Sequence, residues 1–182
     1  AIPEETARRA KFIYINYPNN PTGAVATKAF YEKLVAWAKT YEVGVVSDLA
    51  YGALGYQGYE NPSFLSTPGA KDVGIEFYTF SKTFNMAGWR LAFAAGNDQM
   101  IEALNLIQDH LFVGIFPALQ EAGIAALLDP KSEEAVAQLN ATYDSRRDAF
   151  VQAAAKIGWQ AFPSRGSFYA WMPVPEGYTS ES

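Results

Sequence analysis

The stretch from Ile75 to Gly96, IEFYTFSKTFNMAGWRLAFAAG, holds two apolar runs, Ile75 to Phe80 and Arg90 to Gly96, parted by only the nine residues Ser81 to Trp89. Runs this continuously apolar suit strands buried on both faces of a sheet. A parallel return between neighbouring strands needs roughly 10–12 residues or more, usually including a helix. The two strands are therefore expected to be antiparallel. The end of the first, with Thr79, Ser81 and Lys82, then shares a rim with the start of the second, at Arg90.

Two more runs of the same kind lie upstream, Phe12 to Asn16 and Val43 to Asp48. Between them a helix is expected after an N-capping Thr27, with Phe30, Leu34, Trp37, Ala38 and Tyr41 as its buried stripe. That is a βαβ unit, so these strands should be parallel. The connection Leu49 to Gly74 is long enough to cross over again, but its glycines and prolines leave room for little regular helix.

Downstream the pattern turns helical, with candidates at Met100 to Val113 and Pro117 to Leu128. A long amphipathic helix is expected from Pro130, in its first turn, to Ile157, with Gly158 ending it. At 1.5 Å per residue it would reach about 42 Å. Its expected stripe is Leu139, Tyr143, Phe150, Ala154 and Ile157. Trp159 to Pro163 and Ser167 to Met172 read as strands of a smaller α+β domain, with Phe162, Phe168, Tyr169 and Trp171 in its core. The fold class is thus α/β, a mostly parallel sheet with one antiparallel strand, and a division into 1–128 and 129–182 is expected.

Composition narrows the functions. A 182-residue chain that is 49% hydrophobic and 18% charged can build a packed core. A net charge of −5 argues against nucleic acid as a partner. Without cysteine there is no disulfide, thiolate metal site or thiol nucleophile. The single histidine, His110, makes a histidine-built metal site or triad improbable and reads as structural. No run is long enough to span a membrane, and the acidic start lacks a signal-peptide pattern, so the cytoplasm is expected. The first residue is Ala1 and the last is Ser182, just past an expected strand; the chain reads as a piece of something longer.

In an open α/β sheet, ligands bind beyond the carboxyl ends of the parallel strands. Past those ends lie Asn16-Tyr17-Pro18-Asn19-Asn20-Pro21-Thr22-Gly23, then Asp48 with Tyr51, then Thr79-Phe80-Ser81-Lys82, and Arg90 on the same rim. A lysine can form a Schiff base with an aldehyde cofactor. A carboxylate can keep a pyridine nitrogen protonated. A phenol and an amide can hydrogen-bond a ring hydroxyl, and arginine with hydroxyls can hold a phosphate. These are the demands of pyridoxal 5'-phosphate. Taken singly, each has a plainer reading: a lysine after a strand is ordinarily solvated surface, and Asn20-Pro21-Thr22-Gly23 is a turn.

Three words, Asn16 to Gly23, Ser47-Asp48-Leu49-Ala50-Tyr51 and Ser81 to Arg90, closely resemble the class I/II aminotransferases of fold type I, in the aspartate, alanine and LL-diaminopimelate aminotransferase-like branch. The likeness extends from about Phe12 to Met172. It implies that Lys82 is the Schiff-base lysine and proton carrier, that Asp48 meets the pyridinium nitrogen, and that Tyr51 and Asn20 bind the ring hydroxyl. It further implies that Arg90, Thr79 and Ser81 hold the phosphate; Thr79 stands where the family often has serine. The third strand should lie between the second and the fourth. The resemblance also implies amino acid and 2-oxo acid substrates and a homodimer. A glycine-containing phosphate loop, a ring-stacking aromatic and a carboxylate-binding arginine would lie outside this chain, and Arg165 is not assigned to that last role. The same rim would also serve a carbon–sulfur β-lyase, and a non-catalytic aminotransferase-like effector domain is the remaining alternative.

Overall fold

The fold is taken from a computed structural model, which describes residues 2–181; the outermost ends of the two expected regions, Ala1 and Ser182, lie outside it. A short helix, α1 (Glu4–Arg9), precedes strand β1 (Phe12–Asn16). Helix α2 (Lys28–Tyr41) leads to β2 (Gly44–Asp48). After a long loop with one short helix, α3 (Ala70–Val73), the chain enters β3 (Gly74–Thr79). One helical turn, α4 (Phe80–Thr83), and a further loop lead to β4 (Ala92–Gly96). Three longer helices follow: α5 (Asp98–Leu111), α6 (Pro117–Leu128) and α7 (Ser132–Lys156).

The sheet order is β1-β2-β3-β4. β1 pairs with β2 and β2 with β3 in parallel, whereas β3 pairs antiparallel with β4. The short connection after β3 thus returns the chain as its length requires. In register, Asn16 sits opposite Asp48 and Asp48 opposite Phe77, so β1 and β2 finish level at one end of the sheet. Thr79 pairs with Ala92, which brings the start of β4 to that same end.

Thr27 caps α2 as expected, its hydroxyl accepting from the Phe30 amide. The buried face of α2 is rotated from the expected stripe: Tyr31, Leu34, Val35 and Ala38 are buried, while Phe30 is exposed and Trp37 only partly buried. Tyr31 stacks edge-on against Phe64, and both join Ile15, Val45 and Ala70 in the main core. One face of the helix serves the sheet, and the loop 49–74 supplies Phe64 beside it. Within this core Glu76 is buried with full hydrogen bonding. Its carboxylate accepts from Ser47 Oγ (3.0 Å), Ser63 Oγ (2.5 Å) and the Phe64 amide (2.8 Å). This ties β2, β3 and the loop together and satisfies a buried polar side chain.

Several expectations give way. Phe80 opens α4 instead of ending β3, because the Thr79 side chain caps a helical turn there, accepting from the Ser81 amide. Arg90 lies just before β4, not in it, with φ of 54° in the left-handed region. Helix α7 begins at Ser132; Pro130 stays in a turn in which Asp129 Oδ1 accepts from the Lys131 amide. On α7, Ala154 is buried but Phe150 is exposed, as is Ile157 just past the helix end. His110 is exposed near the end of α5. The strands expected at 159–163 and 167–172 do not form among the described residues; that region has only an isolated antiparallel bridge, Gly55 to Gly166. A strand exists through a partner's ladder, and neither run has one here. For the same reason Phe162 and Trp171 are exposed instead of forming a core. Phe168 and Tyr169 have gone elsewhere, to the rim.

Candidate active site

The sheet end that gathers Asn16, Asp48 and Thr79 is built from local turns. Asn16 holds two of its loops together. Its side-chain amide donates to the Asp48 carbonyl (3.1 Å), and its Oδ1 accepts from the Asn20 amide (2.8 Å). Asp48 Oδ1 in turn accepts from the Ala50 amide (3.1 Å), a side-chain-capped turn that fixes the carboxylate at the strand end. The chain from Tyr51 to Leu54 is fastened by Asn61, whose side-chain amide donates to the Gly52 and Leu54 carbonyls at 3.2 and 2.9 Å.

Tyr51 is buried, and its ring faces the Lys82 amine, with Nζ 5.9 Å from the ring centroid. Burial is the main reason that the Tyr51 hydroxyl is pushed well above its ordinary range; a hydrogen bond with Tyr169 and the nearby Asp48 charge add to this, and the Asn20 amide opposes it. The hydroxyl therefore stays protonated across the neutral range. Thr79 Oγ1 donates to Ser81 Oγ (2.9 Å), so the two hydroxyls adjoin at the start of α4. Lys82 is half-buried on that turn. Arg90 is exposed, and its guanidinium donates to the Ala87 carbonyl (3.0 Å). A groove of about 830 Å³, walled by β4, α5 and the start of α6, reaches the rim at Arg90.

Among the described residues, Asp48, Lys82 and Arg90 form no ion pairs, although all three lie at one end of the sheet. Two cations, one carboxylate and a pair of adjoining hydroxyls are gathered at this end of the sheet without an ion pair among them. Asn20, Asp48, Tyr51, Thr79, Ser81, Lys82 and Arg90 thus all lie on this rim.

Two residues at the rim, Phe168 and Tyr169, were not anticipated there, and no signal in the sequence placed them. Lys82 Nζ lies 5.4 Å from the centroid of Phe168, and the Tyr51 and Tyr169 hydroxyls pair at 3.3 Å. These contacts join positions more than 80 residues apart, which no local pattern encodes.

The profile of the family described as aminotransferase class I and II matches residues 1–180. The chain is 56% identical to an L-glutamine–4-(methylsulfanyl)-2-oxobutanoate aminotransferase of Bacillus subtilis, over all of this chain and 45% of that one. It is 50% identical to an LL-diaminopimelate aminotransferase of Moorella thermoacetica, over all of this chain and 46% of that one. Among solved structures, substrate-bound BacF from Bacillus subtilis superposes with a TM-score of 0.93 at 45% identity, covering 98% of this chain and 45% of BacF. An aminotransferase from Staphylococcus aureus superposes with a TM-score of 0.92 at 39% identity, over 99% of this chain and 47% of its own. The chain therefore spans slightly under half the length of the proteins it matches.

Proposed function

The chain belongs to the class I and II aminotransferases, and on that premise we propose that it is part of a pyridoxal-phosphate-dependent transaminase that moves an amino group from an amino acid to a 2-oxo acid. The observation that carries this is the unpaired set of Asp48, Lys82 and Arg90 on one sheet rim beside the Thr79–Ser81 hydroxyl pair. That set fits the cofactor's charges. Arg90, Thr79 and Ser81 would hold its phosphate, and Asp48 its protonated ring nitrogen. Asn20 and Tyr51 would hold its ring hydroxyl, and Lys82 its aldehyde carbon. When bound, the cofactor supplies an electron-accepting ring.

The chain's own groups then act in simple ways. The Lys82 amine, on a short turn fixed by the Thr79 cap, would take a proton from the substrate Cα and deliver it to the aldehyde-derived carbon of the bound group. The raised Tyr51 hydroxyl stays a neutral donor and acceptor throughout the working pH range. The aromatic rings of Tyr51 and Phe168 lie beside the Lys82 amine, their centroids 5.9 and 5.4 Å from Nζ.

The complete protein is proposed to be a cytoplasmic homodimer. Among the described residues no helix is long and apolar enough to cross a membrane, and apolar side chains on α5 and α6 stand exposed. A division at 1–128 and 129–182 is also proposed, supported by the start of the long α7 at Ser132. The test is amino transfer by the complete gene product to a panel of 2-oxo acids. Lys82→Ala is expected to lower turnover by three orders of magnitude or more, roughly the scale of losing a catalytic proton carrier and anchor together. Near-normal turnover by that variant contradicts the assignment. The 182-residue chain alone is expected to turn over at least about 100-fold more slowly than the complete protein.

A further inference from the structure

The segment 164–169 is bound between the two loops that carry Asn20 and Tyr51. The Tyr56 amide donates to the Arg165 carbonyl (3.0 Å), and the Ser167 amide donates to the Leu54 carbonyl (3.3 Å). Gly166 lies so close to Pro18 that an added Cβ would fall 2.6 Å from its Cγ. Gly23 is as confined, since a Cβ there would lie 2.8 Å from that of Ser164. Ser167 is wholly buried in the left-handed region at φ 62°, and its hydroxyl accepts from the Tyr169 amide (3.3 Å). Strain of this kind in a non-glycine residue is retained only where its surroundings fix it. The segment therefore presents Phe168 and Tyr169 to the rim in one defined arrangement.

What the two side chains do there differs. Phe168 meets the Tyr51 ring edge-on, at 90° and 5.2 Å between centroids, and so limits its rotation. Tyr169 meets the same ring at 78° and 5.8 Å, and its hydroxyl is the partner of the Tyr51 hydroxyl. A phenol has one proton to donate and a limited number of acceptor directions. Whichever direction Tyr169 occupies is withdrawn from all other partners, so Tyr169 decides how the Tyr51 oxygen is presented to anything bound between it and Asn20.

We propose that Tyr169 is a positioning residue of the site: its hydroxyl, paired with that of Tyr51, fixes the direction in which the Tyr51 hydroxyl meets the bound cofactor's ring oxygen. This rests on the pyridoxal-phosphate assignment above. Tyr169 acts through Tyr51 and touches no reacting atom. The same pairing helps to raise the Tyr51 hydroxyl, which gives the experiment a signal independent of catalysis.

The complete gene product, cofactor-free and labelled with [13Cζ]tyrosine, is compared as wild type, Tyr169→Phe and Tyr51→Phe, the last assigning the Tyr51 resonance. In Tyr169→Phe, the Tyr51 Cζ resonance is expected to move and to titrate at lower pH, with a thermal midpoint close to the wild type. Pyridoxal phosphate is then added as the probe. Tyr169→Phe is expected to bind it about 3- to 10-fold more weakly, the scale of one lost hydrogen bond. The pH midpoint of the bound chromophore should shift in the same direction as in Tyr51→Phe, and by less. A Tyr51 resonance and titration unchanged by Tyr169→Phe overturns the proposal. So does wild-type affinity and midpoint in Tyr169→Phe where Tyr51→Phe changes both. A wild-type protein that takes up no pyridoxal phosphate instead overturns the cofactor assignment and the positioning role with it. The cofactor-free titration separates the two failures, because it reads the tyrosine pair by itself.

Discussion

The sheet with its flanking loop and the helices that follow it treat apolar side chains in opposite ways. Tyr31, Val45, Leu54 and Phe64 are at most 1% exposed, whereas Leu106, Leu111, Phe116 and Leu128 are 61–75% exposed. Both regions form regular structure. Asn97 caps α5 by accepting from the Met100 amide, and Pro117 stands in the first turn of α6, where its missing N–H costs nothing. Helix formation is a local event that caps and propensity can direct. Burial is not local, since it needs a facing surface, and among the described residues α5 has no buried residue and α6 only Gly123. The candidate site sits on the packed region, and its loops are fixed by the side-chain hydrogen bonds of Asn16, Asp48 and Asn61.

This contrast predicts a graded response to substitution. Phe64→Ala should cost the complete protein about 3–5 kcal/mol, because a fully buried ring leaves a cavity between α2 and the sheet. Urea unfolding checks it, and a loss below about 1 kcal/mol would mean that the core is not where the tight packing is. Glu76→Ala should cost about 3 kcal/mol, since it leaves Ser47, Ser63 and the Phe64 amide without their acceptor. Glu76→Gln should restore part of this in the same denaturation series.

Alkali is expected to attack the packed region next. The tyrosines with raised hydroxyls, Tyr31, Tyr51, Tyr56, Tyr59 and Tyr78, all lie in the stretch from α2 to β3, and burial is the leading cause for each. An unfolded tyrosine ionises near pH 10, while a buried one holds its proton longer. Between those values the unfolded state binds fewer protons, so stability is full below pH 10 and falls as the pH rises. Tyr31 and Tyr56, nearly inaccessible, should each remove about 1.4 kcal/mol by pH 11. Thermal midpoints measured from pH 8 to 11 test this; a flat profile would contradict it. The smallest effect belongs to the other region: Leu111→Ala should stay within about 0.5 kcal/mol in the 182-residue chain.

The division between legible and hidden features follows the same line. The strands, the antiparallel return and the Thr27 cap came from runs, spacings and one side chain within reach of its own backbone. The rim followed from topology, because a strand end is a place that the sequence can name. The buried stripe of α2 differs from the expected one by about one residue in rotation, because Phe30 and Tyr31 are adjacent aromatics of similar size and distant partners, Phe64 among them, select between them. The expected strands at 159–163 and 167–172 failed for lack of a ladder, and Phe168 and Tyr169 were assigned to a core when their partners are Tyr51 and Lys82. In each case a partner far along the chain determined the outcome.

The most direct test concerns Lys82. The complete gene product is incubated with pyridoxal phosphate, reduced with borohydride, digested, and its peptides mapped by mass. The pyridoxyl label is expected on Lys82, in the peptide that carries Thr79 and Ser81 when the digest leaves them joined, and absent from the Lys82→Ala protein. A label found on Lys71 or another lysine, or spread over several, would contradict the central claim that this rim holds the cofactor through Lys82.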